Sequence, residues 1–418
     1  MYEIVLKYVC PVSDIIAEDF LFMRIQLSEH FTYRKLLRFT LPSVIMMVCT
    51  SIYCVVDGVF VSNFVGSDAF AAVNLIMPFL MVLGAVGFML GTGGSALVAY
   101  TLGADNEKRA NEIFSLLIYA LIGLGAVFTI GGIAFLTPMS RLLGADETML
   151  PVCVSYGRIV LLGLIPYMLQ NTFQSFLVTA ERPQLGLYVT IAAGVTNIVL
   201  DALFVAVLQR GVEGAALATI LSQFVGGAIP LVYFLRPNSS KLRLGRTSFH
   251  GRALLKACAN GSSEFMTNIS MSVVNMLYNW QLMRLMGSGG VAVYGVIMYV
   301  NFIFIAIFLG YSMGSAPIVG YHYGAGNRAE LRGLLRKSLC IITVMSVVLT
   351  AAALLLARPL SLIFVSKEPT LLPVTIRAFS IYSLSFLMAG HNIYASSFFT
   401  ALNDGFISAL ISFARTLV

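Results

Sequence analysis

Three carboxylates lie well inside long apolar runs: Asp57, Asp201 and Glu264. Asp201 stands in Gly186 to Leu208, GLYVTIAAGVTNIVLDALFVAVL, a 23-residue run with no other charge. Such a run predicts a membrane-crossing helix, because ~20 residues at 1.5 Å rise cross a ~30 Å hydrocarbon core. A carboxylate mid-span costs ~2.5–3.5 kcal/mol even on the mildest insertion scales, so it needs a partner or a purpose. Asn197 lies four residues earlier, on the same helical face. Ala193 and Gly194, a turn further back, leave room beside these polar groups. In the next apolar run Ala215 and Thr219 are also one turn apart. Two carboxylates, an amide oxygen, a hydroxyl and a carbonyl suit a hard monovalent cation or a shared proton. Two such acids close together do not both stay ionised without a cation, so H+ and Na+ would compete for one place. The plainer reading is a structural hydrogen bond between helices. A Thr hydroxyl in a membrane helix commonly bonds back to its own backbone.

Asp57 sits late in the first apolar run, in SIYCVVDGVFVSNFVG; Glu264 sits near the start of the seventh and also reads as an interfacial residue. Eleven runs predict helices near 36–60, 73–100, 113–136, 154–178, 186–208, 213–235, 256–283, 291–319, 334–357, 376–400 and 406–418. With 58% hydrophobic and 11% charged residues among 418, and mean hydropathy +0.89, the chain is an all-α polytopic membrane protein. The net charge of +7 belongs to cytoplasmic loops rather than to a nucleic-acid site. Cys10, Cys49, Cys54, Cys153, Cys258 and Cys340 carry no disulfide or metal spacing. No metal beyond a Na+ at Asp57, Asn197, Asp201 and Thr219 is expected, and no cofactor.

The helices repeat at a shift of 221 residues. Gly66 meets Gly287, Gly93 meets Gly314, and LGADN (102–106) meets YGAGN (323–327). Pro138 meets Pro359, and Asn171 meets Asn392. Six spans separate equivalent positions, so two lobes of one orientation are predicted, a parallel repeat. The acids are not repeated: Asp57 matches Tyr278 and Glu264 matches Ser43. An acid kept in one half only points to a specialised site there. Connections on one side hold 16 Lys and Arg against 7 on the other. The N-terminus is therefore expected in the cytoplasm. The expected division is an N-terminal extension over 1–32, an N-lobe over 33–236, a linker over 237–255 and a C-lobe over 256–418. The extension lacks a signal-peptide pattern and reads as disordered, with Met23 a natural alternative start. The basic linker reads as a plain connection drawn to anionic lipid.

Other candidates are weaker. GFMLGTGGSA (87–96) has no Lys after its glycines, so it reads as a packing face rather than a phosphate loop. His391 matches Gln170 and reads as a buried polar contact more readily than as a proton relay. Arg415, about nine residues into the eleventh run, matches Gly194. It either snorkels or faces the C-lobe interior and meets Glu264, which would hold that acid charged and remove it from proton coupling.

The chain resembles the multidrug and toxic compound extrusion (MATE) family, in its bacterial MepA-like branch. The resemblance is carried by FTLPS (39–43), VVDGVFVSNFVG (55–66), AAVNLIMP (71–78), GTGGSALVAYTLGA (91–104), TNIVLDALFV (196–205), GAALAT (214–219) and GSSEF (261–265). It implies twelve helices in two six-helix lobes around a central cavity, in the bacterial cell membrane. It implies export of amphipathic, often cationic compounds against inward H+ or Na+, by alternating access. It carries the N-lobe cation site onto Asp57, Asn197, Asp201, Ala215 and Thr219, and the C-lobe acid onto Glu264. A monomer in contact with membrane lipids is expected. The alternative is a lipid-linked sugar flippase of the same broader superfamily; its cavity would need several basic residues for pyrophosphate, and apart from Arg415 the spans are nearly free of basic residues, which stand near their ends. An enzyme is not expected, since no nucleophile or metal set clusters. The repeat register runs on past Val418, so the chain as written is expected to stop within the eleventh helix and to express poorly or transport weakly against a longer version.

Overall fold

A computed structural model describes residues 25–65, 67–365 and 371–417. Met23 and Cys10 lie outside them. In chain order the helices are α1 Tyr33–Phe64, α2 Ser67–Gly103, α3 Glu107–Leu142, α4 Leu150–Leu162, α5 Leu164–Thr179 and α6 Pro183–Asp201. A short π-helical segment, Ala202–Val207, extends α6. Then come α7 Gly211–Leu235, α8 Gly251–Gly324, α9 Arg328–Val365, α10 Leu371–Ser383, α11 Phe386–Ala401 and α12 Gly405–Leu417. Among the described residues seven helical stretches are long and apolar enough to cross a membrane, and two bent pairs bring that number to nine.

Both bent pairs fall at the same place in the repeat. α4 and α5 meet at 53° around Gly163, and α10 and α11 at 45° around Leu384, 221 residues on. In the first, Pro166 has no N–H for the Leu162 carbonyl, which opens the helix there. In the second no proline stands at the bend, and backbone bonds of shorter span take its part: Leu384 N–H to the Ile381 carbonyl and Leu387 N–H to the Leu384 carbonyl, both at 3.2 Å.

α8 is helical throughout its 74 residues yet doubles back. The rings of Tyr278 and Tyr294 stack at 5.3 Å, and the Tyr294 hydroxyl donates to Asn275 Oδ1 at 2.7 Å. A straight helix would hold those rings ~24 Å apart. The two arms are the seventh and eighth spans. The first, rich in Ser, Thr and Asn from Asn260 to Asn275, falls outside the stretches that are long and apolar enough to cross.

The lobes meet backbone to backbone through glycines. A Cβ on Gly103 would stand 1.9 Å from the Tyr321 carbonyl oxygen, and one on Gly324 would stand 2.0 Å from that of Tyr100. These two contacts exchange under the 221 shift. So do two others: Gly93 against Gly261, and Gly314 against Thr40. The glycine-rich stretch after Gly87 is thus a close-packing face, as small residues provide in membranes.

Residues 25–32 are not a free extension, which corrects the expectation for that part. Leu27 and Phe31 are buried among Val178 of α5, Ile318 and Val319 of α8 and Leu334 of α9. The Leu27 N–H donates to Glu181 Oε1 at 2.9 Å, beside the N-lobe. The Phe31 N–H donates to Glu330 Oε1 at 2.9 Å on α9, while His30 Nδ1 meets Glu330 Oε2 at 2.6 Å. A strap therefore joins the lobes on the side where α1 begins. Two hydrophobic side chains and two backbone amides explain why a polar-looking stretch is held: each apolar side chain leaves water and each N–H finds a carboxylate. Glu29 at its edge is held below the ordinary carboxylate range by the Gln26 N–H and by Lys35. We expect Glu330→Ala to lower stability by ~1–3 kcal/mol, since a buried amide loses its acceptor. Thermal unfolding in detergent reads this, and an unchanged midpoint would contradict the strap.

The basic connection after α7 is also docked. Asn111 of α3 donates to the Lys241 carbonyl at 3.0 Å and accepts from the Arg243 N–H at 2.6 Å. One and two turns on, Ser115 accepts from the Gly245 N–H and Tyr119 donates to the Gly245 carbonyl. Leu242 is fully buried. The segment is a bound edge of α3 rather than a plain linker.

Candidate functional site

α1 and α6 approach where α6 has no side chain. A Cβ on Gly194 would lie 3.3 Å from the Tyr53 ring. One turn further along each helix stand Asp57 on one side and Asn197 on the other, then Asp201. Asp57 and Asp201 stand close enough for their carboxyls to act on each other. Asn197 and Asp201 are fully buried. Among the described residues, no N–H or O–H donor reaches Asp57 Oδ1, Asn197 Oδ1 or either oxygen of Asp201. Buried acceptors without donors are rare and unfavourable. Four of them in one place make a pocket of negative potential that a proton or a small cation would relieve.

Ala215 and Thr219 are placed differently. The Thr219 hydroxyl donates to the Ala215 carbonyl at 3.0 Å, and no hydrogen bond joins it to either carboxylate. Its lone pairs remain free to accept. Ala215 packs on Val205 of the π-helical segment. The arrangement therefore has three oxygen-bearing side chains on α1 and α6, with the Thr219 hydroxyl on the neighbouring α7. Among the described residues no three His, Cys, Asp or Glu side chains gather.

The π-helical segment escapes sequence reasoning altogether. It begins at Ala202, directly after Asp201. Its wider turn shifts the backbone register and leaves room for α7: the Cβ position of Gly214 lies 3.0 Å from the Phe204 carbonyl oxygen. The chain leaves it through Gln209 and Gly211, both with positive φ, at 49° and 57°. π-Turns of this kind recur at functional positions, but no residue type in ALFVAV announces one. Gly211, suited to that φ, is the one local signal.

The C-lobe candidates do not form one cluster. Arg415 Nη2 donates to Thr267 Oγ1 at 3.4 Å. Thr267 is one turn beyond Glu264 on the first arm of α8, but no ion pair within 4.0 Å joins Arg415 to Glu264 among the described residues. Of the two readings the sequence leaves open for Arg415, snorkelling or meeting Glu264, the structure shows a hydrogen bond to the neighbouring turn, with Arg415 and Glu264 acting on each other only at longer range. His391 is tied to the Thr343 hydroxyl and the Leu387 carbonyl, both at 3.0 Å, with no bond to either residue. Tyr278, the counterpart of Asp57, is half of the stacked tyrosine pair. The C-lobe thus has an aromatic pair where the N-lobe has an acid. For Arg415→Gln and Glu264→Gln we expect near-additive losses of efflux activity. A coupling of ~1 kcal/mol or more in the double-mutant cycle would restore the direct pair.

The family model MatE matches residues 42–203 and 265–418. The chain belongs to the MatE family. This MatE chain is similar to the multidrug export protein MepA of Staphylococcus haemolyticus, 22% identical over 391 residues, 93% of this chain and 86% of that protein. MepA of Staphylococcus saprophyticus is 23% identical over 365 residues, 86% of this chain and 80% of that one. Among solved structures, MATE in complex with MaL6 superposes with TM-score 0.89 at 23% identity, covering 95% of this chain and 89% of that one. An outward-facing multidrug resistance MATE transporter of the MOP superfamily gives 0.88 at 24%, covering 96% and 89%. The MatE chain therefore has the two-lobe helical fold of these transporters and is a multi-pass membrane protein. It is a transporter, not an enzyme.

Proposed function

We propose that this protein exports amphipathic, often cationic small molecules across the bacterial cell membrane by cation-coupled antiport. The observation that carries the reading is the buried set of donorless oxygens on Asp57, Asn197 and Asp201, in a MatE chain whose relatives are named multidrug export proteins. A site that takes up H+ or Na+ there changes the charge between α1 and α6. Entry of the cation neutralises two carboxylates; its release restores their repulsion. That cycle supplies two states of the N-lobe, and differential binding of cation and drug to them is what coupling requires. Alternating access then closes one side of the lobes as the other opens, with the N-terminus in the cytoplasm and the chain acting as a monomer. The flippase reading is not favoured, because the spans lack the basic cluster that a pyrophosphate needs.

The test is efflux of ethidium from vesicles holding the purified protein, with Na+ and pH gradients imposed separately. Ethidium movement driven by at least one gradient supports antiport, and the arm that drives it names the ion. Movement unaffected by either gradient would refute the proposal.

A further inference from the structure

Between the start of α1 and the faces of α8 and α9 lies an open groove of about 550 Å³. We propose that it holds one anionic phospholipid of the cytoplasmic leaflet, wedged at the seam between the lobes. Arg34 and Arg38, one turn apart on α1, stand at its head. Leu37, Leu41, Val44 and Met345 line the remainder. The basic head and apolar body match a lipid in both chemistry and order: the arginines lie nearest the cytoplasmic end of α1, the leucines deeper. Arginine's planar fork suits a phosphodiester. The rise from Arg34 to Val44 is about 15 Å, the reach of a headgroup and the upper part of an acyl chain.

The groove opens to lipid rather than to a protein neighbour. Leu37 and Leu41 are 46% and 47% exposed, and the next turn of α1 adds Ile45. On the facing helix Val344 and Val348 are also exposed. On its floor Tyr311 is buried and its hydroxyl is already bonded to Ser338 at 2.9 Å. Among the described residues no acid lines it; Glu29 of the strap is engaged by Lys35 at 2.7 Å. The two walls come from different lobes. Just behind the groove, Gly310 and Gly314 bring the α8 backbone against Val44 and Thr40. A lipid touching both walls binds the form in which the lobes abut here, and so favours it.

The full chain is tested in detergent by native mass spectrometry, with phosphatidylglycerol and phosphatidylcholine titrated in parallel. Wild type should retain phosphatidylglycerol in preference. Arg34→Gln with Arg38→Gln should reduce that retention at least about tenfold, from roughly fivefold per basic residue at a membrane surface. Leu41→Trp, which fills the groove and leaves both arginines in place, should weaken retention of both lipids. Millimolar inorganic phosphate should not displace the lipid. Equal retention by wild type and both variants would overturn the proposal. So would loss of the preference on adding phosphate alone, since the site would then be one for a small anion.

Discussion

Asp201→Asn and Asp57→Asn should each reduce drug efflux to background while leaving the protein folded and in the membrane. An amide keeps the size and hydrogen-bonding reach of the carboxyl. It cannot exchange a proton near neutral pH, and it offers a cation one neutral oxygen in place of a charged pair. A hydrogen bond or contact to a charged group contributes ~1.5–3 kcal/mol, so cation affinity should fall about 10–100-fold. Two readings of the site part here. If the pair is only a structural bond between α1 and α6, the amides can maintain it and efflux survives. If the pair carries the coupling ion, efflux is lost with folding intact. The measurement is ethidium efflux beside a size-exclusion profile of the same preparations. Intact efflux from both variants would remove the site from the mechanism. Thr219→Ala should have a smaller effect, because its hydroxyl makes no bond to either carboxylate.

The second large effect is expected at the seam. Gly103→Val and Gly324→Val each place a Cβ about 2 Å from a carbonyl oxygen of the opposite lobe. No side-chain rotamer relieves a clash with backbone, so the helices must part by more than an ångström. Interlocked membrane helices associate through close packing, and parting them removes contacts along both α2 and α8. We expect efflux to fall at least tenfold, with reduced thermal stability. Gly123→Ala and Gly131→Ala are the controls. Nothing lies within 4 Å of either new methyl, and Ala favours the helix by ~0.5–1 kcal/mol. These variants should match or exceed wild-type stability. Wild-type efflux from Gly324→Val would show that the glycine contact is not required for the working cycle.

What the sequence alone determined was local or periodic. Long apolar runs name helices, because each must satisfy its own backbone in lipid. A single register of 221 residues announces two copies of one lobe, and the paired bends at Gly163 and Leu384 follow it. Asp57, Asn197 and Asp201 stand out because charge and amide are costly in such runs, whatever they face. The tertiary structure decided everything that depends on a distant partner. The strap over 25–32 is held by Glu181 and Glu330, more than 150 residues away in each case, so no local pattern signals it. The linker is docked by one face of α3. Arg415 meets Thr267, a choice set by how α12 lies against α8. The π-helical turn after Asp201 lies where the end of α6 packs on α7, and its apolar residues would serve an ordinary α-helix equally well. Hydropathy is a property of one segment and its solvent; which buried acceptor meets which donor is a property of two segments, and only their packing fixes it.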